Sequence, residues 1–537
     1  MIRDQMLERA TQAHRAWDIV IIGGGATGLG CALDASLRGI SVLLLERHDF
    51  GKGTSSRSTK LIHGGVRYLK QGAVGLVRDS LRERSWLQRN APHLVQDLPF
   101  LIPCYTRWEG WQYGSGLKFY DWLAGESSFG RSRWISARDS RERIATLGAH
   151  GEPGVLRGGV LYHDGQFDDA RLIVTLMRSA QAAGAVVLNY APVMNLTKDV
   201  AGRVSGVEFS DAETGQVHRA AARIVVNATG PFCDTIRQCD RPSEGPLVSA
   251  SQGTHVVLPR RFLPGSTALM VPKTSDNRVM FIIPWHQHVL LGTTDLKIDR
   301  VDDEPVATQE EIAFLLETAG RYLVEKPKRA DILSVFTGIR PLVRKGPTTS
   351  TASLSRDHHI EVAPSGLITI TGGKWTSYRG MGQDVVDCAV RVASLGCGRS
   401  TTAKHALYAS PRSETHASPR DFNLHWRRVY GEDAESIDQW EQQHPEWSRR
   451  LHDDLPYSLS EVVWAVRSEM ARTVEDVLAR RTRALFLNAK AAMSIAADVA
   501  TCMAAELGKD AVWIQEQTRQ FDRLAAKALH RASPPPP

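Results

Sequence analysis

Short apolar runs that end in small residues recur along this chain at wide intervals. Residues 19–22 (Ile-Val-Ile-Ile) lead into Gly23-Gly-Gly25, residues 224–226 into Asn227-Ala-Thr-Gly230, and residues 367–371 into Gly372-Gly373. Each run is too short for a helix, and the pattern predicts buried strands. Behind the first run a helix is expected over 29–38, then a turn at Gly39 and a second strand over 41–45 that ends at Glu46. Asp168-Asp-Ala-Arg171 opens a further helix carrying Leu172, Val174, Leu176 and Met177, followed by a β-like segment at 186–188 and a hairpin marked by Gly202 and Gly206. A strand-rich block occupies about 247–300, and from about 405 to 530 the pattern is helical, with helices at 460–466, 474–480 and 488–507. The first 16 residues suit a polar helix or a frayed end, residues 105–134 follow neither period well, and 531–537 is expected to be a disordered tail.

The spacing Gly23-x-Gly25-x-x-Gly28, placed between a strand and a helix, suits a dinucleotide held by its pyrophosphate. The first glycine permits the tight turn, the second a close backbone approach to phosphate, and the third close packing of helix on strand. Glu46, 18 residues beyond Gly28, is placed to accept hydrogen bonds from ribose hydroxyls. If the three glycine-ended strands share one sheet, their C-terminal ends meet a single ligand. That arrangement suits FAD lying extended across the sheet, and a second glycine fingerprint for a nicotinamide cofactor is not found. The expected fold is therefore α/β: a discontinuous Rossmann-like FAD-binding domain (17–85, 155–235 and 340–395), an inserted α+β substrate- and membrane-facing domain (86–154 and 236–339), and a C-terminal all-helical cap domain (400–530).

Composition narrows the class further. At 537 residues the chain needs more than one core, and its 42% hydrophobic and 23% charged content is that of a soluble globular protein. A net charge of +7 points to anionic partners without choosing among phosphate substrates, lipid and nucleic acid. No 18-residue apolar run or signal-peptide core is seen, which leaves peripheral membrane attachment open. Seven scattered cysteines without a C-x-x-C pair suit a reducing compartment, and His286-x-His288 and His358-His359 lack further ligands for a metal.

Residues 51–69 gather hydroxyls (Thr54, Ser55, Ser56, Ser58), cations (Lys60, Arg67) and His63 around the Gly64-Gly65 pair. Taken alone, such text describes a surface loop as well as a site. Together with Val226-Asn-Ala-Thr-Gly-Pro231, Gly253-Thr-His-Val-Val257, Gly292-Thr-Thr-Asp295, Gly338-Ile-Arg-Pro341 and Gly372-Gly-Lys-Trp-Thr-Ser-Tyr-Arg379, it resembles the FAD-dependent glycerol-3-phosphate dehydrogenases, in order and spacing from 17 to about 380. The last motif departs from the family's pattern at Trp375 and Ser377, where leucine and threonine are expected.

The resemblance implies oxidation of glycerol 3-phosphate with membrane quinone as acceptor. Arg340 and Lys374 are implied as phosphate-binding cations, with Arg67, Tyr68 and Thr293 or Thr294 as pocket neighbours. FAD contacts are expected at Gly23, Gly25, Ala26, Thr27, Gly28, Glu46, Arg47, Thr54, Ser55, Ser56, Lys60, Leu61, His63, Gly64, Gly65, Val193, Ala228, Thr229, Gly230, Gly373, Lys374, Trp375 and Thr376. His63 is taken as the catalytic base, because an imidazole titrates near working pH, and His255 as the second choice. An oxygen-using glycerol-3-phosphate oxidase and an amino- or hydroxy-acid flavin oxidase are the alternatives. A nucleic-acid-binding flavoprotein would need an RNA-binding signature that the chain lacks. Residues 105–134 interleave Trp108, Trp111, Tyr113, Phe119, Trp122 and Trp134 with Arg107, Lys118, Arg131 and Arg133. They suit either the core of the substrate domain or a surface at the headgroup level of an anionic leaflet. The second reading places the protein on the cytoplasmic face of the cell membrane. The motifs leave monomer and homodimer both open.

Overall fold

The computed structural model describes residues 2–12, 16–65, 69, 72–148, 150–151, 154–276, 278–344, 357–411 and 426–530. Two large sheets organise the chain. The first runs in the order Val193–Lys198, Val204–Ser210, Val217–Asn227, Trp17–Ile22, Val42–Leu45 and Val186–Leu188. Ile368–Gly372 joins it parallel to Val217–Asn227, with His358–Val362 antiparallel beyond. The three glycine-ended strands are thus neighbours, all parallel, and their small C-terminal residues lie along one edge. Helices Ala26–Leu37, Asp169–Ala182 and Tyr378–Ala393 contribute buried faces to the core of this sheet.

The second sheet has ten strands: Leu296–Lys297, Val248–Pro259, His288–Gly292, Met280–Trp285, Ala268–Val271, Val95–Cys104, Gly158–Phe167 and Leu61–Ile62, with Ser334–Val343 on Val248–Pro259 and Arg133–Ser136 on Gly158–Phe167. One apolar cluster joins residues of this sheet to the C-terminal helices, and a separate one joins others to the Gln309–Gly320 helix. Leu61–Ile62 and the whole of Gly158–Phe167 pair here, although both lie within stretches the sequence assigned to the nucleotide domain. Ser334–Val343 likewise runs past the expected boundary at 340. An apolar run reports burial and not which sheet it joins, so the chain crosses between sheets without a compositional mark.

Residues 105–134 contain the main surprise, an 18-residue helix, Arg107–Ala124, opened by a Thr106/Glu109 capping box. Only Leu117, Tyr120 and Ala124 are buried on it, while Trp108, Trp111, Phe119 and Trp122 face outward. Apolar residues on both faces erase the single stripe that marks an amphipathic helix, which is why its period was hidden. The N-terminal Ile2–Thr11 helix is docked, with Arg3 buried against Asp211 at 2.6 Å. The C-terminal region is helical except for the hairpin Arg450–His452/Leu455–Ser458, so the cap is not all-helical. Residues 531–537 lie outside the described residues.

Candidate functional site

A cavity opens along the C-terminal edge of the first sheet. Gly23, Gly25, Ala26, Thr27, Glu46 and Arg47 line it, as do Thr54, Ser55, Val193, Ala228, Thr229 and Gly230, and on the far side Gly373, Lys374 and Trp375. The backbone explains the glycines. Gly23 sits at φ +108°, where a Cβ would fall 2.7 Å from the Ala228 carbonyl oxygen. A Cβ on Gly28 would fall 1.9 Å from the Gly23 carbonyl oxygen, so this residue packs helix on strand and does not line the cavity. A Cβ on Gly25 meets only Ser55 Oγ, at 3.1 Å, and otherwise enters the cavity. The Ala26 N–H, at the helix N-terminus, donates to Ser55 Oγ at 3.1 Å. Such a cradle of small residues at a helix N-terminus fits a diphosphate.

Glu46 already accepts from the Gly24 and His48 backbone N–H groups, at 2.7 and 2.8 Å. Those bonds fix its carboxylate at the cavity rim and leave lone pairs for a ribose. Trp375, the departure from the family pattern, fits the site: its indole N–H donates to the Ser55 carbonyl at 2.8 Å, and its ring packs edge-on to Phe167 and Tyr378. The indole thereby ties the Gly372-Gly373 side of the cavity to the turn at Thr54–Ser56.

The second sheet brings further predicted residues together beside the cavity. Along Ser334–Val343, Thr337, Ile339 and Pro341 line the cavity, while Arg340 is one residue out of phase. The Arg340 guanidinium lies across Gly253, whose added Cβ would fall 2.4 Å from it, and donates to Thr293 Oγ1 at 2.9 Å. Of the two threonines, Thr293 therefore belongs to this cluster. Thr294 turns inward, donating to Glu311 at 2.5 Å and accepting from the Thr254 N–H at 2.9 Å. His255 stacks on Phe336 with ring centroids 4.8 Å apart, and its Nε2 lies 2.9 Å from Thr59 Oγ1. Burial first, then the charges of Lys60 and Arg340, push His255 well below the usual histidine range. Lys374 Nζ lies 3.3 Å from Ser80 Oγ. Arg67 and Tyr68 lie outside the described residues.

Lys60 departs furthest from expectation. It is fully buried, donates to both Asp169 carboxylate oxygens at 2.7–2.8 Å and to the Ser56 carbonyl at 2.7 Å, and lies over the rings of Trp285 and Phe336. Its ammonium is spent inside the protein and does not line the cavity. Ser56, Leu61, Gly64, Gly65 and Thr376 are likewise buried behind the lining, and His63 is half-buried just past Leu61–Ile62.

Family models for an FAD dependent oxidoreductase and for the C-terminal domain of alpha-glycerophosphate oxidase match residues 18–387 and 388–513. The mitochondrial glycerol-3-phosphate dehydrogenase SDP6 of Arabidopsis thaliana is 40% identical, over 93% of this chain and 84% of the relative. The mitochondrial glycerol-3-phosphate dehydrogenase of Mus musculus is 38% identical, over 95% of this chain and 73% of its own. The chain belongs to the FAD-dependent glycerol-3-phosphate dehydrogenases. Its fold agrees: the FAD-complexed glycerol-3-phosphate dehydrogenase of Bacillus halodurans superposes with a TM-score of 0.79 at 28% identity, covering 98% of this chain and 99% of that one. The FAD-bound L-alpha-glycerophosphate oxidase of Mycoplasma pneumoniae, at 18% identity and a TM-score of 0.55 over 73% of this chain and 98% of its own, shares the fold alone.

Within this FAD enzyme, the sequence reading missed an acidic strap. Asp302, Asp303 and Pro305 line the cavity from the loop that follows Leu296–Lys297. Asp303 pairs with Arg47, and Glu304 with Arg57 at 2.6 Å and Lys52 at 3.2 Å. Lys52 also reaches Glu475 of the C-terminal region at 2.9 Å; burial opposes its charge, but Glu475 and Glu304 hold its pKa above the ordinary value. Deeper in, Asp49 receives Arg480 and Arg481 at 2.5 and 2.6 Å, so the C-terminal region is ion-paired to the loop that follows Glu46. The run Asp302-Asp303-Glu304 was visible in the sequence, but its partners Arg47, Lys52 and Arg57 lie more than 240 residues before it, and no spacing rule links them.

Proposed function

We propose that the protein oxidises sn-glycerol 3-phosphate to dihydroxyacetone phosphate and passes the electrons to a membrane quinone. The observation that carries the first part is the near full-length similarity to enzymes named glycerol-3-phosphate dehydrogenase. The substrate phosphate carries about −1.5 to −2 charges at neutral pH and needs more than one cation. Arg340, held against Thr293 beside the cavity, serves as the guanidinium fork, and Lys374 on the cavity wall as a point charge. When bound, FAD supplies N5 as acceptor of the hydride from C2. His63 takes the C2 hydroxyl proton on an imidazole nitrogen. His255 is less suited to that role, because its Nε2 faces Thr59 and its ring is sealed against Phe336.

Quinone as acceptor draws support from the Arg107–Ala124 helix. Trp108, Trp111 and Trp122 are 66%, 64% and 72% exposed, and Trp108 stacks on Trp111 as Phe119 does on Trp122. Paired large aromatics beside Arg107 and Lys118 form an apolar patch with a cationic rim, suited to the cytoplasmic surface of an anionic membrane. Among the described residues no helix is long and apolar enough to cross a membrane, so attachment through this face would be peripheral. The oxidase family model that matches the C-terminal region favours a second reading, with oxygen as acceptor.

Anaerobic addition of glycerol 3-phosphate should bleach the flavin bands, and a soluble quinone should then restore them faster than air does. Unbleached flavin would refute the substrate, and rapid reoxidation by air with peroxide release would favour the oxidase. Flotation with anionic vesicles tests attachment: the wild type should rise with lipid, and a Trp108→Ser, Trp111→Ser, Lys118→Glu variant should rise less. Wild type that stays in the soluble fraction at low salt would refute the membrane reading.

A further inference from the structure

We propose that Tyr120 is a positioning residue for the oxidation, acting through the backbone at Gly64 to set His63. This rests on the assignment of His63 as the proton acceptor. Tyr120 lies on the buried side of the aromatic helix, and its hydroxyl is used in both directions. It accepts from the Gly64 N–H at 2.9 Å and donates to Asp164 Oδ2 at 2.9 Å. Arg84 holds the other Asp164 oxygen at 2.6 Å. All three side chains are almost completely buried. Burial, and then the Asp164 carboxylate, push the Tyr120 phenol well above its ordinary range, so the hydroxyl keeps the proton it donates.

The arrangement closes a circuit. Asp164 belongs to Gly158–Phe167, the strand that pairs with Leu61–Ile62 through Ile62↔Gly165 and Leu61↔Gln166. One strand therefore fixes the two residues before His63 by its ladder, and the residue after it through Asp164 and Tyr120. A two-residue strand is a weak anchor by itself, and the phenol supplies a second point of attachment on the other side of the histidine. The geometry also accounts for glycine at position 64, whose φ is not positive: a Cβ there would fall 2.4 Å from the Tyr120 oxygen and 2.7 Å from Leu81. Burying an aspartate–arginine pair is costly unless every group is satisfied. Here the pair orients one hydroxyl whose remaining partner is a backbone amide next to His63.

Tyr120→Phe keeps the ring and removes both hydrogen bonds. Displacement of a reacting group by a fraction of an ångström slows chemistry without abolishing binding, so the flavin-reduction rate per bound FAD should fall about ten- to a hundredfold. KM should stay within about threefold, and the pH profile of reduction should change. Gly64→Ala, which displaces the phenol, should reproduce the same split. Leu117→Ala, on the same buried face, tests packing alone: it should lower Tm and leave the rate per flavin unchanged. A wild-type rate and pH profile in Tyr120→Phe, with His63→Ala slow, would overturn the role of Tyr120 and leave the proposed reaction standing. Wild-type rates in both variants would overturn the assignment of His63 together with the proposal. An equal loss of rate per flavin in Leu117→Ala would reduce Tyr120 to packing and also overturn it.

Discussion

The cavity meets the first sheet at the ends of its strands and the second sheet along the side of one. At the strand ends the contacts are made by backbone and small residues: Gly23, Gly25, Ala228, Thr229, Gly230 and Gly373. On the second sheet they are made by alternate side chains of Ser334–Val343, and a shift of one residue separates the cavity wall at Ile339 from the guanidinium cluster at Arg340. The first arrangement, with side chains excluded, suits a cofactor laid across the strand ends. The second offers functional groups that can change with little effect on the fold. Substitutions at the strand ends should therefore cost cofactor or fold, and those on the second sheet should cost chemistry.

The strongest test compares two glycines in one turn. Gly25→Val places its side chain in the cavity, with only Ser55 Oγ within reach in the protein. It should fold and purify colourless. Gly28→Val must part helix from strand, because even its Cβ would fall 1.9 Å from the Gly23 carbonyl oxygen. It should give little soluble protein. Flavin absorbance per chain and soluble yield read the two effects, and a fully yellow Gly25→Val protein would break the cofactor assignment.

On the second sheet, Arg340→Ala should retain FAD and lose about 2–4 kcal/mol of substrate interaction, roughly thirty- to a thousandfold in kcat/KM. Thr294→Val, beside the Thr293 that Arg340 bonds, gives the contrast. Its hydroxyl joins Glu311 to the Thr254 amide, so its loss should reduce stability by about 1–3 kcal/mol and alter kcat/KM little. Thermal unfolding and steady-state kinetics separate the two variants. Arg340→Ala with unchanged kcat/KM would remove the guanidinium cluster from the substrate site.

These differences also explain what could be read in advance. Small residues at strand ends leave a mark in the sequence, so Gly23, Gly25, Ala228 and Gly373 were legible as neighbours along one edge, and the parallel order of their three strands followed. Residues along the second sheet carry no spacing rule. His255, Thr293 and Arg340 were singled out through the family resemblance, and sequence alone could not say which of Thr293 and Thr294 meets Arg340, because a partner at Glu311 turns Thr294 away. Lys60 was misplaced for a related reason. A cation in a hydroxyl-rich loop suits a diphosphate until Asp169, 109 residues on, proves to be its partner. The exposed aromatic helix escaped because its apolar residues occupy both faces.

The two histidines extend the comparison to pH. A base must be unprotonated, so reduction should rise with pH through its pKa. His255 is held well below the usual range by burial, Lys60 and Arg340, which favours its neutral form. An acid limb between pH 5 and 8 is therefore expected from His63, not from His255. Flavin reduction measured across that range should show such a limb in the wild type and in His255→Asn and lose it in His63→Ala. A limb that persists in His63→Ala would exclude His63 as its source.

The smallest effect is expected where the two sheets are tied across the cavity. Glu304, on the strap from the second sheet, pairs with Lys52 and Arg57 of the loop that follows Glu46, and Lys52 continues to Glu475. The strap thus lines the cavity, where it would hold back a departing FAD. Glu304 is 20% exposed, so each pair is worth up to about 1 kcal/mol and is weakened by salt. Glu304→Gln should raise the FAD dissociation rate about two- to fivefold at low salt, with kcat per bound flavin unchanged, because no reacting group moves. Raising the ionic strength should speed dissociation from the wild type more than from the variant, so the two should converge. Flavin fluorescence after dilution measures both rates. Equal rates at low salt would show that the strap lines the cavity without holding the cofactor. A change in kcat per flavin would instead place Glu304 in the chemistry, against the separation between cofactor retention at the rim and catalysis on the second sheet.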